Sequence, residues 1–145
     1  MSNSNSRWLI IDDIPHEARL ERRWLDFGYS NDPTAIWYLY YYNGGYILDE
    51  QTYQKGLSNK QIADILTNLP PTLTVADSAE PKSIDEIASF GVSIVACDKG
   101  KDSIVYGIQI VRDQKISITK RSLNLIKEYR NYLWLKDKDG RIINV

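Results

Sequence analysis

One cysteine, Cys97, and one histidine, His16, are all that the 145 residues supply of either type. A single cysteine excludes an intramolecular disulfide and any multi-cysteine zinc site, and a single histidine excludes a His-pair metal motif. Long apolar runs are missing too: Ile36 to Tyr42 spans seven residues, against the ~20 that a membrane-crossing helix needs. No Gly-x-x-x-x-Gly-Lys-Ser/Thr phosphate loop occurs, so these residues carry no Walker-type motor. The opening Met1-Ser2-Asn3-Ser4-Asn5-Ser6 lacks the apolar centre of a secretory signal, which makes the cytoplasm the expected location. Chemistry here must rest mainly on carboxylates, hydroxyls and lysines.

What is present is the makeup of one folded domain. The chain is 43% hydrophobic and 26% charged, with eight glycines and five prolines, a composition that supports a real core rather than a disordered or fibrous chain. Its net charge of −1 hides a segregation, because Gly44 to Asp98 carries eight acidic and three basic residues while Lys99 to Arg130 carries eight basic and three acidic ones. That pattern suits carboxylates holding metal ions beside cations that meet a polyanion; it also suits ordinary solvated surface.

The first ordered stretch is the run Arg22 to Phe27, and Ser30-Asn31-Asp32-Pro33 then reads as a turn. Ala35 to Tyr42 and Tyr46 to Tyr53 are β-forming runs joined by Asn43-Gly44-Gly45, a hairpin signal because a type I′ turn needs positive φ at both central residues. Ser58 with Gln61 matches a capping box ahead of Ile62, Ile65, Leu66 and Leu69, which share one helical face until Pro70-Pro71. Leu73 to Ala76 reads as a buried strand ending at Asp77, Ser83 with Glu86 as a second capping box, and Val92 to Ala96 as a fifth strand. Helices are expected over Ser103 to Val111 and from about Ser122 through Leu133, with a small hairpin at Asp139-Gly140 flanked by Trp134-Leu135 and Ile142-Ile143. The order predicts an α/β fold: a mixed sheet of about five strands, three antiparallel and then parallel, flanked by helices.

Two aspartates stand out. Asp26 and Asp77 each close an apolar strand and precede a small-residue turn. If a crossover lays the second strand parallel to the first, both carboxylates reach one hard cation, since neighbouring strands lie only ~4.8 Å apart. Taken singly, each reads better as a turn or helix cap; the pair in this topology favours the metal reading.

Leu25-Asp26-Phe27-Gly28-Tyr29-Ser30-Asn31-Asp32-Pro33-Thr34-Ala35, Ala76-Asp77-Ser78-Ala79-Glu80-Pro81-Lys82-Ser83-Ile84, and Lys99-Gly100-Lys101-Asp102-Ser103-Ile104 with Gly107-Ile108 together resemble the nuclease domain of tailed-bacteriophage terminase large subunits. The likeness continues through Asn124 to Trp134 and covers roughly Leu9 to the end. It implies a ribonuclease-H-like fold, with residues 1–20 as a lead-in and 21–145 as a domain incomplete at its C-terminal side. It also implies a metal-dependent endonuclease that cuts concatemeric viral DNA in the cytoplasm of the bacterial host. Asp26 and Asp77 occupy the first two metal-binding positions of the family, for Mg²⁺ or Mn²⁺, in a two-ion hydrolysis. The implied partners are double-stranded DNA, the terminase ATPase domain, the small terminase subunit and the portal. The family's third aspartate sits in an Asn-His-x-x-Asp-Ala pattern that nothing here matches. A catalytically inactive DNA- or packaging-machine-binding module of the same fold is therefore the alternative, and a resolvase or transposase type of nuclease fits the motifs less well.

Lys82, Lys99 and Lys101 are the candidate phosphate contacts, which as point charges would bind DNA without reading its sequence. Glu80 and Asp98 lie near the proposed cluster in sequence and either assist it or serve as caps and surface. The tyrosines from Tyr38 to Tyr42 suit sheet packing or base stacking, Cys97 suits the core, and His16 lies in a polar stretch.

Overall fold

The computed structural model describes residues 8–28, 32–68, 70–77, 81–97, 108, 111 and 114–138, with 135–138 described by their backbone. The strands are β1 (Trp8–Ile11), β2 (Arg19–Asp26), β3 (Thr34–Tyr42), β4 (Gly45–Gln54), β5 (Thr74–Ala76), β6 (Ile94–Ala96) and β7 (Ile116–Thr119). The helices are α1 (Asn59–Thr67), α2 (Pro81–Ser89) and α3 (Leu123–Lys138).

Local chemistry accounts for the central meander. Asn43 and Gly44 both take positive φ, 51° and 80°, so β3 and β4 join through a two-residue turn with Tyr42 opposite Gly45. The Ser58 side chain accepts from Gln61 N while the Gln61 side chain accepts from Ser58 N, which fixes the start of α1. The strands form one sheet in the order β1-β7-β4-β3-β2-β5-β6. β2, β3 and β4 run antiparallel, whereas β5 is parallel to β2, β6 to β5, β7 to β4 and β1 to β7.

The pleat sorts side chains into two cores. On one face Trp24, Trp37, Leu48, Val75, Ile116 and Ile118 pack with Leu125, Ile126 and Tyr129 of α3. Trp24 and Trp37 stack there at 5.4 Å between ring centroids. On the other face Leu25, Ile36, Tyr38 and Ala76 pack with Ile62 and Leu66 of α1 and with Ile84 and Ile87 of α2. The architecture is thus three layers, α3 over the sheet over α1 and α2.

Four local expectations need correction. The sheet has seven strands rather than about five, because β1 and β7 pair in parallel over more than a hundred residues and leave no turn signal in the sequence. β2 also begins at Arg19, ahead of the run from Arg22. α2 starts at Pro81, a residue pre-set for the first helical position, so Ser83 is not its cap. Ser83 Oγ and Glu86 Oε1 instead both accept from Asn59 Nδ2 and tie α2 to α1. Trp134 and Leu135 belong to α3, not to a hairpin strand. Of the helix expected over Ser103 to Val111, the described residues are Ile108 and Val111, both buried in the α3-face core. The Asp139-Gly140 turn lies outside the described residues.

Candidate metal centre and adjoining cleft

Parallel pairing of β2 with β5 sets Leu25 opposite Ala76, so Asp26 and Asp77 are the next positions on neighbouring strands. Asp77 N donates to Leu25 O at 3.2 Å and carries the pairing one residue beyond the strand. Leu25 and Ala76 face α1 and α2; alternation directs the two aspartates to the α3 face. Backbone amides orient both carboxylates, Phe27 N donating to Asp77 Oδ1 at 3.3 Å and Gly28 N to Asp26 Oδ1 at 3.1 Å. Asp77 is 3% exposed and Asp26 half-buried.

The turn behind Asp26 admits only glycine. Gly28 has φ +71°, and a Cβ built on it would stand 2.5 Å from Pro33 O and 2.7 Å from Asp32 O. Thr34 Oγ1 donates to Phe27 O at 3.1 Å and closes the turn against β3.

Asp26 opens onto a cleft of about 340 Å³ whose charged and amide lining comprises Asp26, Asp32, Glu50, Asn124, Lys127 and Glu128. Four carboxylates against one lysine make this lining anionic. Glu50 is half-committed to architecture: its Oε1 accepts from Leu125 N at 2.9 Å and its Oε2 from Asn124 Nδ2 at 2.8 Å. A carboxylate on the first-turn amides of a helix satisfies donors that have no intrahelical partner and opposes the positive end of the helix dipole.

Next to it lies a fully enclosed carboxylate. Asp49 is 0% exposed; its Oδ1 accepts from Thr119 Oγ1 at 2.6 Å and Arg121 Nε at 2.8 Å, and its Oδ2 from Gln51 Nε2. Arg121 reaches on to Asp13 at 2.9 Å. The hydrogen bond to Asp49, ahead of the one to Asp13, holds the Arg121 guanidinium above its ordinary pKa. The Ile14 amide, and then Arg121, holds the Asp13 carboxyl below the usual carboxylate value.

The remaining sequence candidates scatter. Lys82 is exposed on α2 and does not line the cleft. Lys99, Lys101, Glu80 and Asp98 lie outside the described residues. His16 is exposed in the loop between β1 and β2, and Cys97 is buried in the α3-face core. Tyr38 is buried, with Tyr41 and Tyr42 exposed toward the hairpin tip. Among the described residues no three His, Cys, Asp or Glu side chains are grouped to hold a metal ion. Glu50, Asn124, Lys127 and Glu128 were not singled out from the sequence. The last three do form a polar stripe at i, i+3 and i+4 opposite Leu125, Ile126 and Tyr129. The stripe shows a solvent-side helix face but not which strand ends it overlooks.

Residues 26–145 match the family model described as the terminase RNase H-like domain. The chain is 32% identical over 128 residues to the terminase large subunit of Bacillus phage SPP1, covering 82% of the chain and 30% of that protein. It is 31% identical over 134 residues to the PBSX phage terminase large subunit of Bacillus subtilis strain 168, covering 84% of the chain and 29% of that protein. The chain thus spans under a third of the length of these curated relatives. In three dimensions it resembles the large terminase nuclease domain of bacteriophage SPP1, a structure with bound Mn, at a TM-score of 0.61 and 24% identity over 86% of the chain and 78% of that one. It also resembles the P22 large terminase nuclease domain, at a TM-score of 0.59 and 17% identity over 100% of the chain and 82% of that one. At these identities the structural likeness speaks for the fold.

Proposed function

The chain belongs to the terminase RNase H-like domain family, and from that membership we propose that it is a divalent-metal-dependent DNA endonuclease domain of a phage packaging terminase. The observation that carries the proposal is the β2–β5 register, with Asp26 and Asp77 at adjacent strand ends and Asp26 lining the α3-side cleft. Ligands of open α/β sheets commonly bind outside the carboxyl ends of parallel strands.

The donor set fits a hard cation in kind, being carboxylate oxygen without sulfur or imidazole. Asp26 and Asp77 would hold it. When bound, a pair of Mg²⁺ or Mn²⁺ ions would supply a nucleophilic water and charge stabilisation at the leaving oxygen. The chain's own part is positional: the amides of Phe27 and Gly28 fix the carboxylate orientations, and the shut turn at Gly28 keeps Asp26 at the cleft mouth. An anionic cleft repels a phosphodiester, so metal loading and the nearby cation Lys127 would be needed for DNA to approach. Lys82, which does not line the cleft, and Lys99 and Lys101 are proposed as further phosphate contacts. DNA, the ATPase domain, the small subunit and the portal are the proposed partners, in the cytoplasm of the bacterial host.

One observation favours a second reading, a DNA- or machine-binding module that does not cut: the described residues bring no third ligand to the two aspartates. A plasmid-nicking assay separates the two. The nuclease reading expects metal-dependent nicking, stronger with Mn²⁺ than Mg²⁺ because Mg²⁺ demands near-ideal octahedral geometry. It expects Asp26→Asn and Asp77→Asn to abolish nicking; no nicking in either metal, with DNA retained on the protein, favours the second reading.

A further inference from the structure

The cleft beside Asp26 has an uncharged feature that the proposed hydrolysis does not use. Asp26 of β2 stands opposite Ala35 of β3, and Ala35 stands opposite Tyr53 of β4, so the three form one row across the sheet on the α3 face. All three line the same cleft of about 340 Å³, together with Asn124 and Lys127 of α3. Ala35 in the middle carries only a methyl group and leaves open floor between the carboxylate and the ring. Two strand spacings set the Asp26 and Tyr53 backbones ~10 Å apart, a span on the scale of one nucleotide from its phosphate to its base.

Tyr53 differs from the other aromatic residues in being open. At 48% exposure it is the most exposed tyrosine among the described residues. Tyr41, the next, is engaged by Tyr46 at 5.5 Å between ring centroids and by Arg19 over its ring. Tyr38 meets Tyr40, and Tyr129 meets Trp8 and Tyr132. Trp37, the other aromatic residue of the cleft, is 1% exposed and stacks on Trp24. Among the described residues no ring or cation stacks on Tyr53. An aromatic face left open inside a polar concavity is suited to a ligand rather than to the core.

Charge selects the kind of contact. Four carboxylates against one lysine repel a phosphate backbone, so a strand held here needs metal ions and neutral contacts. A nucleobase offers a neutral π face, and its stacking on an aromatic ring tolerates any sequence. We propose that Tyr53 is the base-stacking platform of this cleft, and that DNA enters it locally unpaired, with a base next to the scissile phosphate laid on the Tyr53 ring. Inside an intact duplex both faces of a base are already stacked, so the ring can receive one only where the strand is opened, gapped or ended. The inference rests on the nuclease reading for DNA as the ligand.

The test titrates the chain into a fluorescent oligothymidylate of about 12 nucleotides, read by anisotropy, and into the same strand paired with oligodeoxyadenylate. Ca²⁺ takes the same oxygen ligands in looser geometry than Mg²⁺, so it loads the cleft while binding is read. Tyr53→Leu, which keeps an apolar side chain without the π face, should weaken single-strand binding about tenfold. Tyr53→Phe should leave it nearly unchanged, and Tyr53→Trp, with a larger ring, should tighten it, a gain that no misfolded variant gives. Duplex binding should barely respond to any of the three. The loss in Tyr53→Leu should be the same ratio at low and high salt, because a neutral contact releases no counterions. No binding of the single strand, an equal loss in Phe and Leu variants, or an equal loss on the duplex would overturn the proposal. Plasmid nicking by the unaltered chain in Mn²⁺ separates the two readings. Nicking with single-strand binding indifferent to Tyr53→Leu sinks the stacking alone; ring-dependent strand binding without nicking sinks the cutting alone.

Discussion

Two carboxylate regions a few residues apart on the sheet are treated in opposite ways. Asp49 is enclosed, and Thr119, Arg121 and Gln51 take up its oxygens. Asp26 stands at the mouth of a cleft shared with Asp32, Glu50 and Glu128, its orientation set by a glycine amide. Enclosure with matched partners spends a charge on architecture, here on fixing the β7–α3 corner to β4. Like charges gathered at a cleft mouth repel one another, and a fold retains that arrangement where something cationic from outside relieves it.

The comparison breaks most sharply on Asp26. Asp26→Asn keeps the oxygen that accepts from Gly28 N and removes one charge from the anionic lining, so metal-dependent nicking should fall by orders of magnitude while the melting temperature stays level or rises slightly. Asp49→Ala should do the reverse. It leaves Thr119 and Arg121 without their buried acceptor, a loss of about 1–3 kcal/mol in urea unfolding, with nicking by the folded fraction retained.

Gly28→Ala sits between the two regions in kind. Its left-handed backbone costs an alanine roughly 1–2 kcal/mol, and the Cβ must displace the Asp32–Pro33 carbonyls, so nicking should fall further than stability does. The smallest effect concerns Asp13, whose depressed pKa makes its stabilising share present above the ordinary carboxylate pKa and lost as pH falls through the folded value. Asp13→Asn should flatten the acid limb of a stability–pH profile below about pH 4 and leave neutral stability almost unchanged.

What could be read from the residues was what local chemistry encodes. Asn43-Gly44 marks a turn that needs two positive φ values, and Ser58 with Gln61 marks a helix start, and both form as such. The parallel placement of the Asp77 strand beside the Asp26 strand followed from the order of elements and the crossover rule, and β2 and β5 do pair that way. What stayed hidden depends on distant partners. Ile116-Ser117-Ile118-Thr119 alternates like a strand, yet its place between β1 and β4 rests on pairing with Trp8–Ile11 and Tyr46–Leu48, and no turn announces either. Ser83 and Glu86 carry the spacing of a capping box but serve Asn59 of α1, a contact set by tertiary packing. The helix from about Ser122 through Leu133 was legible; the position of its polar side beside Asp26 came only with the Glu50 carboxylate that anchors the start of α3.

The central claim is that Asp26 and Asp77 act together as a divalent-cation site, and calorimetric titration of the chain with Mn²⁺ tests it most directly, without requiring turnover. The account predicts saturable Mn²⁺ binding that is lost in Asp26→Asn and, separately, in Asp77→Asn, but kept in Glu128→Gln, which lines the same cleft from α3. Binding that survives either aspartate substitution, or that disappears with Glu128→Gln alone, would contradict it.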